Sequence, residues 1–143
     1  MRYGVFVTLM FSVVVHAADS TDDNKSLQGK WLLIKIDKEG KLQDVAKTSD
    51  EFFHMQFSGD KVTVEFTSGK EEGTYKIDAS KKVKTIDITA NTSEDKGKTF
   101  LGIYSLDGDT LKLCMAEPEV KERPMELKAK KDKVTVYVLQ RVK

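Results

Sequence analysis

The sequence predicts an all-β fold, an antiparallel meander closing into a small barrel of about eight to nine strands, with one short helix at most. Three observations predict it. From Gly29 onward the apolar residues recur with period two rather than 3.6. The alternating runs are short and are separated by connections rich in Gly, Asp, Ser and Lys. A meander of so many strands gains by closing, because closure removes the exposed edges of an open sheet.

In chain order, the first seventeen residues read as a signal peptide. Arg2 gives a positive start, residues 5–15 are almost continuously apolar, and Val15 and Ala17 supply the small residues that suit cleavage after Ala17. The apolar run is short for a permanent span and no second one follows, so the expectation is an exported protein, periplasmic or extracellular, with no permanent membrane anchor. A lipoprotein anchor would need a cysteine directly after the signal, where this chain has Ala18-Asp19. Residues 18–25 then read as a polar linker and residues 26–143 as a single barrel domain. The 126 residues remaining of the 143 suit one core.

The first strand is KWLLIKID, residues 30–37, ended by a turn at Lys38-Glu39-Gly40-Lys41. Residues 43–51, QDVAKTSDE, are the one stretch suited to a short helix. Phe53, Met55 and Phe57 alternate with His54 and Gln56, and after Ser58-Gly59-Asp60 the set Val62, Val64 and Phe66 alternates with Thr63 and Glu65, which describes a hairpin with one wet face. The same grammar continues through Tyr75 and Ile77, Ile86 and Ile88, and residues 99–105. Leu106-Asp107-Gly108-Asp109 is the clearest turn and leads to Leu111, Leu113 and Met115. A break at Pro118 precedes two further expected strands, residues 123–130 and 134–141.

Charge and chemistry exclude several classes. Without the signal, 23 basic residues face 23 acidic ones, a balance that suggests neither nucleic acid nor an anionic membrane as partner. The lysine clusters at 81–84 and 128–133 sit where turns are expected. Cys114 is the only cysteine, so no internal disulfide forms, and it lies in the phase of Lys112, opposite Leu111, Leu113 and Met115. His54 is the one imidazole left after the signal and faces the polar side of its strand, so a Ser-His-Asp or Cys-His site has no convergent set. One His and one Cys do not make a zinc site without two carboxylates, and no glycine-rich phosphate cradle or cofactor motif occurs. Most carboxylates fall in turns, where Asp serves the backbone. The expectation is a protein that is not an enzyme and carries no metal or cofactor.

Gly29-Lys30-Trp31 opens the first strand and Arg141 closes the last. In a closed meander these strands are neighbours, so the guanidinium can lie over the indole and plug one end of the barrel. Gly-x-Trp with a terminal Arg resembles the lipocalin and calycin pattern. More closely, LQGKWLLIKIDKEG, FSGDKVTV, EEGTYKID, KTIDIT, KGKTFLGIYSLDGDTLKLCMA and KERPMELKA resemble a lipocalin-like domain family of planctomycete bacteria, over residues 26–141 and most specifically over 99–116. The resemblance implies a secreted or periplasmic lipocalin-like β-barrel of unestablished biochemical role. The chain departs from true lipocalins in lacking paired cysteines and a helix after the last strand.

The function expected is a non-catalytic, monomeric binding module whose interior receives a small hydrophobic or amphipathic ligand. Its candidate lining is Phe53, Met55, Phe57, Val62, Val64, Phe66, Tyr75, Leu111, Leu113 and Met115. The same residues would fill a dry core, since a barrel of about eight strands is just wide enough for either. The alternative is therefore a filled barrel acting as a structural module or an inhibitor, presenting residues 90–98 and 117–122 to an extracellular or periplasmic protein.

Overall fold

The structure, a computed structural model, describes residues 20–143. The expected signal peptide, residues 1–17, and the first two residues of the expected linker lie outside the described residues. Within them the chain runs α1 (Ser20–Leu27), β1 (Gly29–Asp37), β2 (Leu42–Asp44), β3 (Phe53–Ser58), β4 (Lys61–Phe66), β5 (Gly69–Asp78), β6 (Thr85–Ala90), β7 (Thr99–Asp107), β8 (Thr110–Ala116) and β9 (Val134–Arg141). From β3 to β9 each strand pairs antiparallel with the next, and β1 pairs with both β3 and β9. The sheet is thus a closed eight-stranded antiparallel barrel with β2 added to it.

Alternation decides which way each strand faces. Phe53, Met55, Phe57, Val62, Tyr75, Leu111, Leu113 and Met115 are buried in one cluster with Trp31, Leu33, Ile86 and Leu139, while Gln56, Glu72 and Lys76 in the opposite phase are exposed. A register slip of one residue would turn that apolar set to water, so the pattern fixes the pairing. The two-residue hairpin turns after β3 and β7 need a positive φ at their first position, which Gly59 (+63°) and Gly108 (+56°) supply.

β1 carries a bulge between Leu33 and Lys35, and its neighbour changes there. Before the bulge it pairs with β3; beyond it, Lys35 to Asp37 pair with Leu42 to Asp44 of β2. The expected helix at 43–51 is therefore not formed. Its first residues satisfy the overhanging edge of β1, and the rest make turns through Ser49 N–H to Ala46 O and Phe52 N–H to Ser49 O.

The helix occurs instead at Ser20–Leu27, where a polar linker was expected. Its polarity hid it, since Leu27 is its one apolar residue. Asp22 and Asp23 in the first turn and Lys25 in the last suit the helix dipole. What holds it is the end of the barrel. Leu27 is fully buried in the core, Trp31 Nε1–H donates to Leu27 O at 2.9 Å, and Arg141 donates to Gln28 O at 3.0 Å and to Ser26 O. Carbonyls that a helix C-terminus leaves unpaired are thus satisfied by side chains from β1 and β9. Trp31 and Arg141 are register partners, and the Arg141 guanidinium lies 4.3 Å from the indole centroid. At the other end of α1 the buried Asp23 carboxylate accepts from Tyr104 Oη at 2.6 Å and Lys84 Nζ at 2.9 Å.

The expected strand at 123–130 is not one either. Every barrel strand already has two neighbours, so the closed sheet leaves no edge for it to join, and Pro124 has no N–H to give. Residues 117–133 instead cross the outside of the barrel as a strap. Arg123 fixes the strap through Gly102 O (2.8 Å), Ile86 O (3.3 Å) and the Asp87 carboxylate (2.6 Å). Beneath it the outer-face residues Ile103, Cys114, Ala116, Val134 and Val136 form a second buried cluster with Val120 and Ala129.

Candidate functional site: an apolar pocket at the open end of the barrel

The barrel interior divides into two halves. The half beneath α1 is filled: Trp31, Phe57, Leu111 and Leu139 are at most 1 % exposed, and the Phe57 and Tyr75 rings meet edge to face at 4.9 Å. Tyr75 Oη donates to Gly59 O and accepts from Gln28 Nε2, which ties β5 to the β3–β4 turn and to the residue following α1. The opposite half encloses a pocket of about 230 Å³.

Its wall comes from two kinds of residue. On one side Phe53 meets Phe66 edge-on at 5.8 Å and Tyr137 at 5.7 Å, with Met55, Val62, Val64, Leu113 and Met115 below. On the other side Gly73 and Ala90 face each other across β5 and β6, between Ile88 and Phe100. The pocket exists because this second wall has almost no side-chain bulk. A Cβ on Gly73 would come within 2.5 Å of Thr89 O, so the two strands approach too closely there for any larger residue.

Of the ten lining candidates, seven line the pocket: Phe53, Met55, Val62, Val64, Phe66, Leu113 and Met115. Phe57, Tyr75 and Leu111 belong to the filled half. Sequence reasoning missed Glu71, Glu72, Gly73, Ile88, Ala90, Phe100 and Tyr137. Tyr137 was within reach, because it shares the phase of Arg141, whose contact with Trp31 fixes the inward face of β9. The Gly73–Ala90 wall was not, because it depends on the register between β5 and β6.

Around the mouth the charges lean acidic. Glu71 is the register partner of Val64 and shares the inward phase of Gly73 and Tyr75, so it stands at the rim of the pocket. Glu72 is held by Lys70 at 3.5 Å, and its N–H donates to Thr92 Oγ1. Burial first, then the charges of Glu119 and Asp95, push the Glu117 carboxyl above the usual range. The Tyr137 hydroxyl is pushed up to about 12, by burial first and then by Glu117. Residues 90–98, expected in the alternative reading as an interaction surface, fold back on themselves at this rim through Gly97 N–H to Ala90 O and Ala90 N–H to Lys98 O.

The two residues of ordinary catalytic chemistry lie on the far side of the sheet from this pocket. His54 is on the outer phase of β3, edge-on to Phe52 at 5.3 Å, its pKa lowered by burial and by Lys30. Cys114 is fully buried under the strap, with Sγ donating to Glu126 O at 3.3 Å, and burial raises its pKa. Among the described residues no group of three or more His, Cys, Asp or Glu side chains could hold a metal ion, and no helix is long and apolar enough to cross a membrane.

No protein-family model matches the chain, and no curated protein matches it significantly. Among solved structures it is similar to an uncharacterised protein from Bacteroides eggerthii DSM 20697, with 20% identity and a TM-score of 0.47, over 81% of this chain and 99% of that one.

Proposed function

We propose that this protein is a non-catalytic binding module that takes a small hydrophobic or amphipathic molecule into the open half of its barrel. The supporting observation is the apolar pocket of about 230 Å³, walled by aromatic and aliphatic side chains on one side and by Gly73 and Ala90 on the other. A cavity of ~150 Å³ already admits benzene, so this space suits one ring with a short chain, or a short acyl segment. Export through residues 1–17 to a periplasm or the outside, and membership of the planctomycete lipocalin-like family, are part of the same proposal and rest on the sequence motifs.

Titration with naphthalene, followed by its fluorescence, tests the pocket. The wild type should bind it saturably, and Ala90→Leu, which adds bulk to the thin wall, should abolish binding while leaving the denaturation midpoint at or above that of the wild type. Absence of binding by the wild type, or unchanged binding by Ala90→Leu, would overturn the reading.

A further inference from the structure

Glu71 is an inward-phase carboxylate on a pocket whose lining, Glu72 apart, is mainly apolar, and among the described residues its side chain makes no ion pair or hydrogen bond. Its sequence neighbour Lys70 is engaged with Glu72, and no Lys or Arg is among the residues that line the pocket. A ligand with an anionic head would meet Glu71 and Glu72 and no cation in the pocket lining. A ligand with a cationic head would meet an unpartnered carboxylate and, just inside, the rings of Phe53, Phe66, Phe100 and Tyr137, whose negative faces attract cations.

We infer that the ligand of this pocket carries a positive charge, an amine or quaternary ammonium on an apolar body, with its head held at the mouth by Glu71. The inference rests on the pocket reading above. Burial first and neighbouring carboxylates second raise both Glu117 and Tyr137, the latter a residue of the pocket lining, which agrees with a negative field there. Because Glu71 is exposed, the attraction is that of a solvated ion pair, ~1 kcal/mol or about fivefold in affinity.

The test uses three probes with one apolar body: 4-phenylbutylamine, 4-phenylbutanol and 4-phenylbutanoate, titrated by calorimetry. The amine should bind about fivefold more tightly than the alcohol, the carboxylate should bind most weakly, and the amine's advantage should shrink in high salt. Glu71→Gln should remove most of the amine's advantage over the alcohol without changing the alcohol, and Glu71→Lys should favour the carboxylate. Equal binding of amine and alcohol by the wild type, or an amine preference undiminished in Glu71→Gln, would overturn this inference and leave the pocket reading standing. Failure of both amine and alcohol to bind would overturn both.

Discussion

Phe57 and Phe66 share the inward phase of one hairpin, yet they sit at different depths, and truncating each to alanine should separate a packed interior from an open one. Phe57 is 1 % exposed and packed edge-on against Tyr75 beneath α1, where closed strands on every side prevent collapse into the space left behind. Phe57→Ala should therefore cost about 3–5 kcal/mol, transfer and cavity terms together. Phe66 is only partly buried, and one of its sides already borders the pocket. Phe66→Ala loses the edge contact with Phe53, worth ~0.5–1.5 kcal/mol, and some burial, but it widens an existing opening rather than creating a void. A cost of about 1–2 kcal/mol follows. Urea melts with matched m-values measure the two costs, and a naphthalene titration of each variant reads the pocket. Phe66→Ala should alter affinity, and Phe57→Ala should leave it near the wild-type value. Equal costs in the two variants would refute the division of the interior into a filled and an open half.

Arg141→Met should cost about 2–3 kcal/mol by removing the hydrogen bonds to Ser26 O and Gln28 O, the indole contact and the ion pair to Asp109. Amide exchange should then rise first in residues 22–28, and uniform protection across the chain would contradict the capping role. Folding raises the Tyr137 pKa from 10.0 to about 12, so above pH 10 the unfolded chain loses a proton the folded one keeps. Stability should accordingly be full below about pH 10 and fall above it, and urea melts at about pH 9 and about pH 11 should show a loss that Tyr137→Phe lessens. Cys114 should react with a thiol reagent only as the strap lifts, so Arg123→Ala, which frees the strap from Gly102 O and Ile86 O, should speed labelling at least about tenfold without melting the barrel. Labelling at the wild-type rate would show that Arg123 does not hold the strap.

The strands β3, β4 and β8 were legible because they carry their inward residues at every second position, and the others because short turns bound their apolar runs. Failures came where tertiary structure overrode local pattern. Residues 123–130 have strand-like alternation through Met125, Leu127 and Ala129, but the closed sheet offers them no edge, and Met125 and Leu127 stay exposed. The helix at 20–27 is stabilised by partners on β1, β7 and β9, none of which a local reading supplies. The pocket was half legible. Its aromatic wall and the inward phase of Glu71 follow from strand phase, whereas its thin wall depends on which residues β5 and β6 bring face to face.

The contact between β1 and β9 also bears on how the domain emerges during synthesis. Arg141 and Gln28 are 113 positions apart, and the seam they help close is the last to become available in a chain that appears residue by residue. Until β9 arrives, β1 and β8 each present a row of unsatisfied amides, a template for a neighbouring nascent chain. Pairings of such long range make a slow nucleus. The interval between the appearance of Trp31 and that of Arg141 is therefore the period of greatest aggregation hazard, and a holdase that shields β1 for that interval would raise the yield of closed barrels.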